Sequence, residues 1–426
     1  MNICMMTNTY LPHVGGVARS VSTFAEEYLR LGHNVLVVAP EFPGKPPPRR
    51  QEAIVERVAA FQNFNGSDFS VRLPLAAALS NRIEAFKADL FHAHHPFLLG
   101  DTALRLAAST NVPVVFTHHT RYEDYTHYVP FDSPALKQAA INLSTEFANL
   151  CDGVIAPSAS IARLLKARGV EAPIRVVPTG VDIEAFGAGD GRRCRAKFGV
   201  PERAFVVGHV GRLAAEKNLG YLAEAVALFV KDTPGSRFLV VGGGPAEEEL
   251  RAIFRRHDAE RRLILTGPLT GRPLHDAYAA MDVFAFSSQS ETQGLVVAEA
   301  MAAHLPVVAL RAPGVREVVR HEKNGLILPA GARPEFFAAA LRRVREDRAE
   351  RRDFAQAART TAEQLSRARC AEQALAFYER IRRATRRERL LTDRSAWGTL
   401  LQRLGVEWDL ISRNARTVAE AVAAVS

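Results

Sequence analysis

The pattern that most constrains this chain is a repeated succession of a short, apolar, β-branched run and a longer amphipathic stretch. The first half carries NICMM, NVLVVAP, DLFHAH, VPVVFTHH, GVIAPS and IRVVP; the second carries AFVVGHVGRL, RFLVVGGGP, LILTGPL, VFAFSS, LPVVAL and GLILP. A strand with one face in water alternates apolar and polar residues, whereas runs apolar throughout are buried on both faces, as in parallel sheets covered by crossover helices. At 426 residues the chain is too long for one ordinary core. The expectation is an α/β protein of two facing, Rossmann-like, doubly wound domains, with a cleft enclosed between two rows of strand-end loops.

The rhythm breaks at GAGDGRRCRAK, between Phe186 and Lys197, where glycine and charge read as a linker. This gives an N-terminal domain over 1–190 and a second over 191–370. From about Arg342 the composition turns to Arg, Glu and Ala, and 371–426 reads as a helical, arginine-rich C-terminal segment. Six arginines fall between Arg380 and Arg389, while Leu375, Tyr378 and Ile381 recur at helical spacing. Both tryptophans, Trp397 and Trp408, lie further on, and GKPPPRR at 44–50 reads as an exposed loop.

Composition narrows the function classes. The four cysteines form no CxxC or Cys/His spacing, so neither structural zinc nor a disulfide framework is expected, and a reducing cytoplasm fits. No apolar run reaches the roughly 18 residues that a spanning helix needs, and MNICMMTNTY has no signal-peptide pattern. The net charge of +9 suits nucleic acid, an anionic membrane or a phosphorylated substrate. Without a helix-turn-helix, zinc-finger or RNA-recognition signature, nucleic acid is the weakest of these.

The chemistry-bearing groups fall at strand ends. SSQSETQGLVVAE sets Glu291 and Glu299 eight positions apart across Gly294, between a strand-like run and a helix-like one. A strand turning at Gly294 into a helix beginning with Leu295 directs backbone N–H groups and the positive helix end at one spot, which suits a phosphate. Carboxylates there are better suited to accepting hydrogen bonds from sugar and ribose hydroxyls. In HVGRLAAEKN, Gly211 ends a strand and Arg212, Glu216 and Lys217 crowd the following loop. Two such cations can neutralise a diphosphate leaving group, although a surface salt-bridge network would look the same. No D-x-D occurs, so a metal-held diphosphate is disfavoured, and no metal or cofactor is expected.

Glycines supply weaker signals. Gly242, Gly243 and Gly244 end a strand and start a helix; Gly15 and Gly16 lie between the first strand and first helix. Each set allows a ligand close to the backbone, or a turn that needs positive φ. The dinucleotide fingerprint GxGxxG is absent from the first strand's end, which disfavours a nicotinamide cofactor. Five histidines, His92, His94, His95, His118 and His119, cluster at two further strand ends. They suit sugar hydroxyls or a phosphate oxygen; metal binding is the rival, but Glu123 and Asp124 show no recognised ligand spacing. His92, inside the apolar run, is the one expected to be a core residue.

Taken in order, these segments, with HAHHPFLLG, THHTRYEDY, PTGVD at 178–182 and ETQGLVVAEAMAAHLPVVA, resemble the retaining glycosyltransferases of family four over about residues 1 to 370. The resemblance implies the glycosyltransferase-B fold, a nucleoside-diphosphate sugar in the second domain and an acceptor against the first. It implies that Arg212 and Lys217 hold the diphosphate, Glu291 the sugar hydroxyls and Glu299 the ribose, with His119 beside the sugar. Gly15, Gly16, Gly211, Gly243, Gly294 and Leu295 would line the donor; His94, Tyr122 and Asp124 would lie on the acceptor side. HHTRYEDYTHY and SETQGLVVAEAMAA are also similar to bacterial diacylglycerol glucosyltransferases, which act at the cytoplasmic membrane face. Mannosyltransferases and sulfoquinovosyltransferases share much of this wording. His118 stands for the usual tyrosine, PTGVD for PNGVD and His304 for a glycine, departures that bear on donor identity.

The resulting expectation is a metal-independent hexosyltransferase taking a UDP-sugar to a lipid hydroxyl with retention, cytoplasmic and peripheral at the inner membrane face. The apolar segment VRLPLAAAL at 71–79 and the arginine helix would face anionic lipid, or else pack and solvate ordinarily. A GDP-mannose mannosyltransferase, a sugar-nucleotide epimerase, a phosphorylase-type enzyme and a non-catalytic nucleotide-binding adaptor are the alternatives.

Overall fold

The computed structural model describes residues 1–13, 15–42, 49–58, 80–124, 133–288 and 291–391. The segment 71–79, both tryptophans and the chain beyond Leu391 lie outside them.

Two wholly parallel sheets form. The first comprises β1 Asn2–Met6, β2 Asn34–Pro40, β3 Val55–Val58, β4 Leu90–Ala93, β5 Val114–Thr117, β6 Gly153–Ala156 and β7 Ile174–Val176, in the order β3-β2-β1-β4-β5-β6-β7. The second comprises β8 Phe205–Val210, β9 Ser236–Val241, β10 Leu263–Leu265, β11 Val283–Phe286, β12 Val307–Leu310 and β13 Gly325–Leu328, in the order β10-β9-β8-β11-β12-β13. Every apolar run read from the sequence is a strand. β3 was not anticipated: it is an edge strand whose sequence, VERV, puts two charges into four residues. An edge strand needs no continuous apolar run.

In each sheet the order reverses once, between β1 and β4 and between β8 and β11. At such a reversal the helices leaving the two adjacent strands cover opposite faces, and a crevice is left outside their carboxyl ends.

The chain divides into two compact units at Gly180/Val181, ten residues before the sequence-based boundary. The glycine and charge cluster belongs to the second unit, because Asp190 caps the helix Gly191–Phe198 and Arg193 is bonded to the buried Asp276 at 2.7 and 2.8 Å. Nor does the C-terminal segment stand apart. The helix Arg367–Leu391 joins the first unit from Cys370 onward. There Cys370, Ala371, Ala374, Phe377, Tyr378 and Ile381 pack with Met5, Val21, Phe24, Tyr28, Val37 and Ile155. Helical spacing gives this helix an apolar stripe, and the first sheet supplies the surface that buries it. No described helix is long and apolar enough to cross a membrane.

If this helix is integral to the N-terminal unit, Phe377→Ala should lower that unit's stability by about 3–5 kcal/mol. Urea unfolding followed by circular dichroism reads the loss; an unchanged first transition would contradict the packing.

Candidate functional site

The second unit builds its site at the reversal between β8 and β11. After β8 the chain runs from Gly211 through a turn at Ala215–Lys217 to Asn218, which adopts φ of 54° and starts the helix Leu219–Asp232. After β11 come Ser287 and Ser288, both fully buried. The Ser287 hydroxyl lies 3.0 Å from the carbonyls of both Lys217 and Asn218, and the Ser288 hydroxyl donates to the Glu216 carbonyl at 3.4 Å. Two loops from non-consecutive strands are thereby fixed to each other.

That fixation brings the predicted charges together. The Lys217 ammonium pairs with the Glu291 carboxylate, and both side chains are largely buried. The Glu291 carbonyl accepts from Gly314 N at 3.1 Å. Three residues on, Gly294 takes φ of +76° and opens the helix Leu295–Ala302 as an N-cap with no side chain to bond the first amides. A Cβ at Gly294 would also lie 3.2 Å from the Gly314 carbonyl oxygen, so space and backbone both call for glycine. Arg212 pairs with Glu216 within its own loop and keeps nearly half its side chain exposed.

Glu299, one turn into this helix, is buried and accepts a hydrogen bond from the Tyr278 hydroxyl at 2.8 Å. Sequence reading missed Tyr278, which nothing in its surroundings singles out. Gly243 is assigned differently as well: its carbonyl accepts from Leu213 N at 2.9 Å, and a Cβ on Gly242 or Gly244 would come within 1.8 or 2.4 Å of the Gly211 or Leu213 carbonyl oxygen. Gly242 and Gly244 sit at φ of 146° and 148°. Gly242 and Gly244 let one loop's backbone nest against the next, whereas a Cβ on Gly243 would come closest to the Pro268 ring, at 3.3 Å.

In the first unit the corresponding reversal lies between β1 and β4. Gly15, at φ of −164°, precedes the helix Gly16–Arg30, again without a side-chain cap. Neither Gly15 nor Gly16 has positive φ, so the turn explanation fails for this pair. A Cβ on Gly16 would touch nothing within 4 Å, while one on Gly15 would lie 3.1 Å from His13 Nε2.

The histidines divide by role. His92 bonds Thr117 Oγ1 through Nε2 and the Tyr378 hydroxyl through Nδ1, both at 2.7 Å, and Tyr378 meets the Tyr28 hydroxyl at 2.8 Å. It is the expected core histidine, fastening the C-terminal helix. His95 Nδ1 accepts from Asn8 N at 3.1 Å. His94 Nδ1 and His119 Nε2 bond at 2.8 Å with their rings stacked. Tyr122 packs edge-on to His118 and Phe97. His94 Nε2, both His118 nitrogens and the Tyr122 hydroxyl have no hydrogen-bond partner among the described residues. Asp124 faces Arg121 at 3.3 Å, and burial still pushes its carboxyl above the usual range. Among the described residues no group of three or more His, Cys, Asp or Glu is arranged to hold a metal ion.

Burial pushes His92 and His95 down to about 3, and His118 and His209 down to about 4. Because the folded chain refuses protons that the unfolded chain takes up near pH 6.5, stability is full above that pH and falls as pH drops towards 4. Each such imidazole costs up to about 1.4 kcal/mol per pH unit in that window. Urea unfolding at pH 5.5 should therefore show a stability at least about 2 kcal/mol below that at pH 7.5; equal values would contradict buried neutral imidazoles.

Comparison with known proteins bears on what this arrangement does. Residues 14–185 match the family described as Glycosyltransferase Family 4, and residues 191–361 match Glycosyl transferases group 1. The chain is 29% identical to the alpha-monoglucosyldiacylglycerol synthase of Acholeplasma laidlawii, over 76% of this chain and 84% of that protein. It is 32% identical to the sulfoquinovosyl transferase SQD2 of Arabidopsis thaliana, over 82% and 68%. It is 30% identical to a GDP-mannose-dependent alpha-mannosyltransferase of Mycobacterium tuberculosis, over 90% and 97%. In fold it is similar to the Anabaena protein HepE, solved in complex with UDP, with a TM-score of 0.70 at 23% identity, covering 89% of this chain and all of that one.

Proposed function

The chain belongs to the family 4, group 1 glycosyltransferases of glycosyltransferase-B fold, and on that premise we propose that it moves a hexose from a UDP-sugar to a lipid hydroxyl such as that of diacylglycerol, with retention. That it transfers sugar from a nucleotide sugar follows from the family. The binding of a diphosphate sugar in this unit is supported most by one observation: Lys217, on the loop that also carries Arg212, pairs with Glu291 three residues before Gly294 and the helix Leu295–Ala302, across the ends of β8 and β11.

Rupture of a glycosyl phosphate bond leaves charge on the diphosphate. Cations and a helix N-terminus that interact more strongly with that charge than with the intact donor lower the barrier. Lys217 and Arg212 supply the cations, and the helix supplies N–H groups. A nucleotide sugar arriving here offers each member of the Lys217–Glu291 pair a better partner: phosphate for the ammonium, sugar hydroxyls for the carboxylate. Glu299, steadied by Tyr278, takes the ribose. The N-terminal unit supplies the acceptor side through His119, His94, Tyr122 and Asp124. With Glu291 spent on positioning, the departing phosphate helps deprotonate the acceptor on the face it leaves.

Similarity to a monoglucosyldiacylglycerol synthase supports the lipid acceptor, and the net charge of +9 supports a peripheral position on anionic lipid. A GDP-mannose donor is the second reading, supported by the mannosyltransferase relative that this chain matches over nearly its full length.

Radiolabelled UDP-glucose and GDP-mannose, each supplied with diacylglycerol vesicles, separate the two. Label from UDP-glucose should enter the organic phase; transfer from GDP-mannose alone would refute the UDP assignment. Glu291→Ala and Lys217→Ala should each lower turnover at least tenfold, about 1.4 kcal/mol in the barrier. Turnover unchanged in either variant would remove that residue from the site.

A further inference from the structure

One buried imidazole of the second unit lies close beneath the loop that carries Arg212 and Lys217. His209 lies on β8, two residues before Gly211, and is fully buried. Its ring runs nearly parallel to those of Phe284 and Phe286, at interplanar angles of 11° and 22°. Nδ1 lies 3.1 Å from the Ala285 carbonyl oxygen. A carbonyl can only accept, so the proton sits on Nδ1 and Nε2 presents a lone pair. Nε2 has no hydrogen-bond partner among the described residues. A buried acceptor left unmade costs stability, and such a cost, kept in an otherwise close-packed sheet, points to a use.

The direction of the lone pair narrows that use. Residues 209 and 211 share one face of the strand line. A Cβ built on Gly211 would meet His209 Nε2 at 3.5 Å and no other described atom within 4 Å. The imidazole therefore aims up the strand, into the loop that carries Arg212 and Lys217. Burial holds the ring neutral, and the charges of Lys217 and Glu291 act on it in opposite directions, the ammonium disfavouring and the carboxylate favouring protonation. A neutral ring with a lone pair cannot bond the oxygens of an ionised diphosphate, which are acceptors too. It can accept from an ammonium, which has three protons to give.

We infer that His209 is a positioning residue for Lys217: its Nε2 accepts from the Lys217 ammonium when a bound diphosphate parts that ammonium from Glu291, aiming the charge at the diphosphate. The role deepens the nucleotide-sugar reading above and rests on it. Glu291 and His209 then alternate as partners of one lysine, and the buried imidazole keeps the ammonium over the phosphates without adding negative charge beside them.

The test is a double-mutant cycle on UDP and GDP affinity, measured by titration calorimetry on the full chain, with thermal unfolding of each variant without nucleotide. His209→Phe keeps a planar ring and removes the acceptor; His209→Gln keeps an acceptor. The expected result is about tenfold weaker UDP binding for His209→Phe at an unchanged or higher melting temperature, with His209→Gln within about threefold of wild type. In a Lys217→Met background, His209→Phe should cause no further loss, because the two residues act as one. Equal binding by wild type and His209→Phe overturns this inference alone. So does an additive loss in the Lys217→Met background, or a fall in melting temperature that accompanies weaker binding and that His209→Gln does not restore. A wild-type protein that binds neither UDP nor GDP overturns the nucleotide-sugar reading itself.

Discussion

A parallel sheet whose strand order reverses once has a single place where loops from neighbouring strands diverge, and the second unit of this chain puts its paired charges there. In the C-terminal unit the place lies between β8 and β11. The loop after one strand carries Arg212 and Lys217; the loop after the other carries Glu291 and leads into an uncapped helix start. Hydrogen bonds from the buried Ser287 and Ser288 to the carbonyls of Glu216, Lys217 and Asn218 lock them together. The serines and glycines around the charges set the geometry in which those charges are held.

Polar groups are divided in the same way in the N-terminal unit. The line Tyr28–Tyr378–His92–Thr117 is satisfied at every link and joins a helix from the far end of the sequence to the first sheet. Beside it, His94, His118 and Tyr122 retain buried polar atoms with no partner among the described residues. A satisfied network rigidifies, whereas orphaned groups are the ones with capacity left to bind something. The histidine-rich strand ends thus contain two populations that differ in hydrogen bonding, and burial keeps both neutral at ordinary pH.

Much of this was legible in the sequence because the signals were local. Apolar runs such as NVLVVAP and LPVVAL can only be central strands, and a glycine between a strand and a helix, followed by charge, marks a strand-end loop. What stayed hidden depends on contacts distant in sequence. The edge strand β3 carries two charges because one of its sides needs no partner. The unit boundary falls at Val181 rather than near Asp190 because Asp276, 86 residues away, accepts a bond from Asp190 N. In the glycine triplet at 242–244, only the fold shows that Gly242 and Gly244 admit the backbone of Gly211 and Leu213. His209 reads as one polar residue in an apolar run; only the sheet shows its free nitrogen aimed at the site.

If the Lys217–Glu291 pair marks where the diphosphate and sugar of the donor bind, a crystal structure of the protein with a non-hydrolysable UDP-sugar will show it. The pair should be parted, with the diphosphate against Lys217, Arg212 and the amides opening the helix at Leu295, and a sugar hydroxyl on Glu291. An intact Lys217–Glu291 pair with the nucleotide bound elsewhere would contradict it.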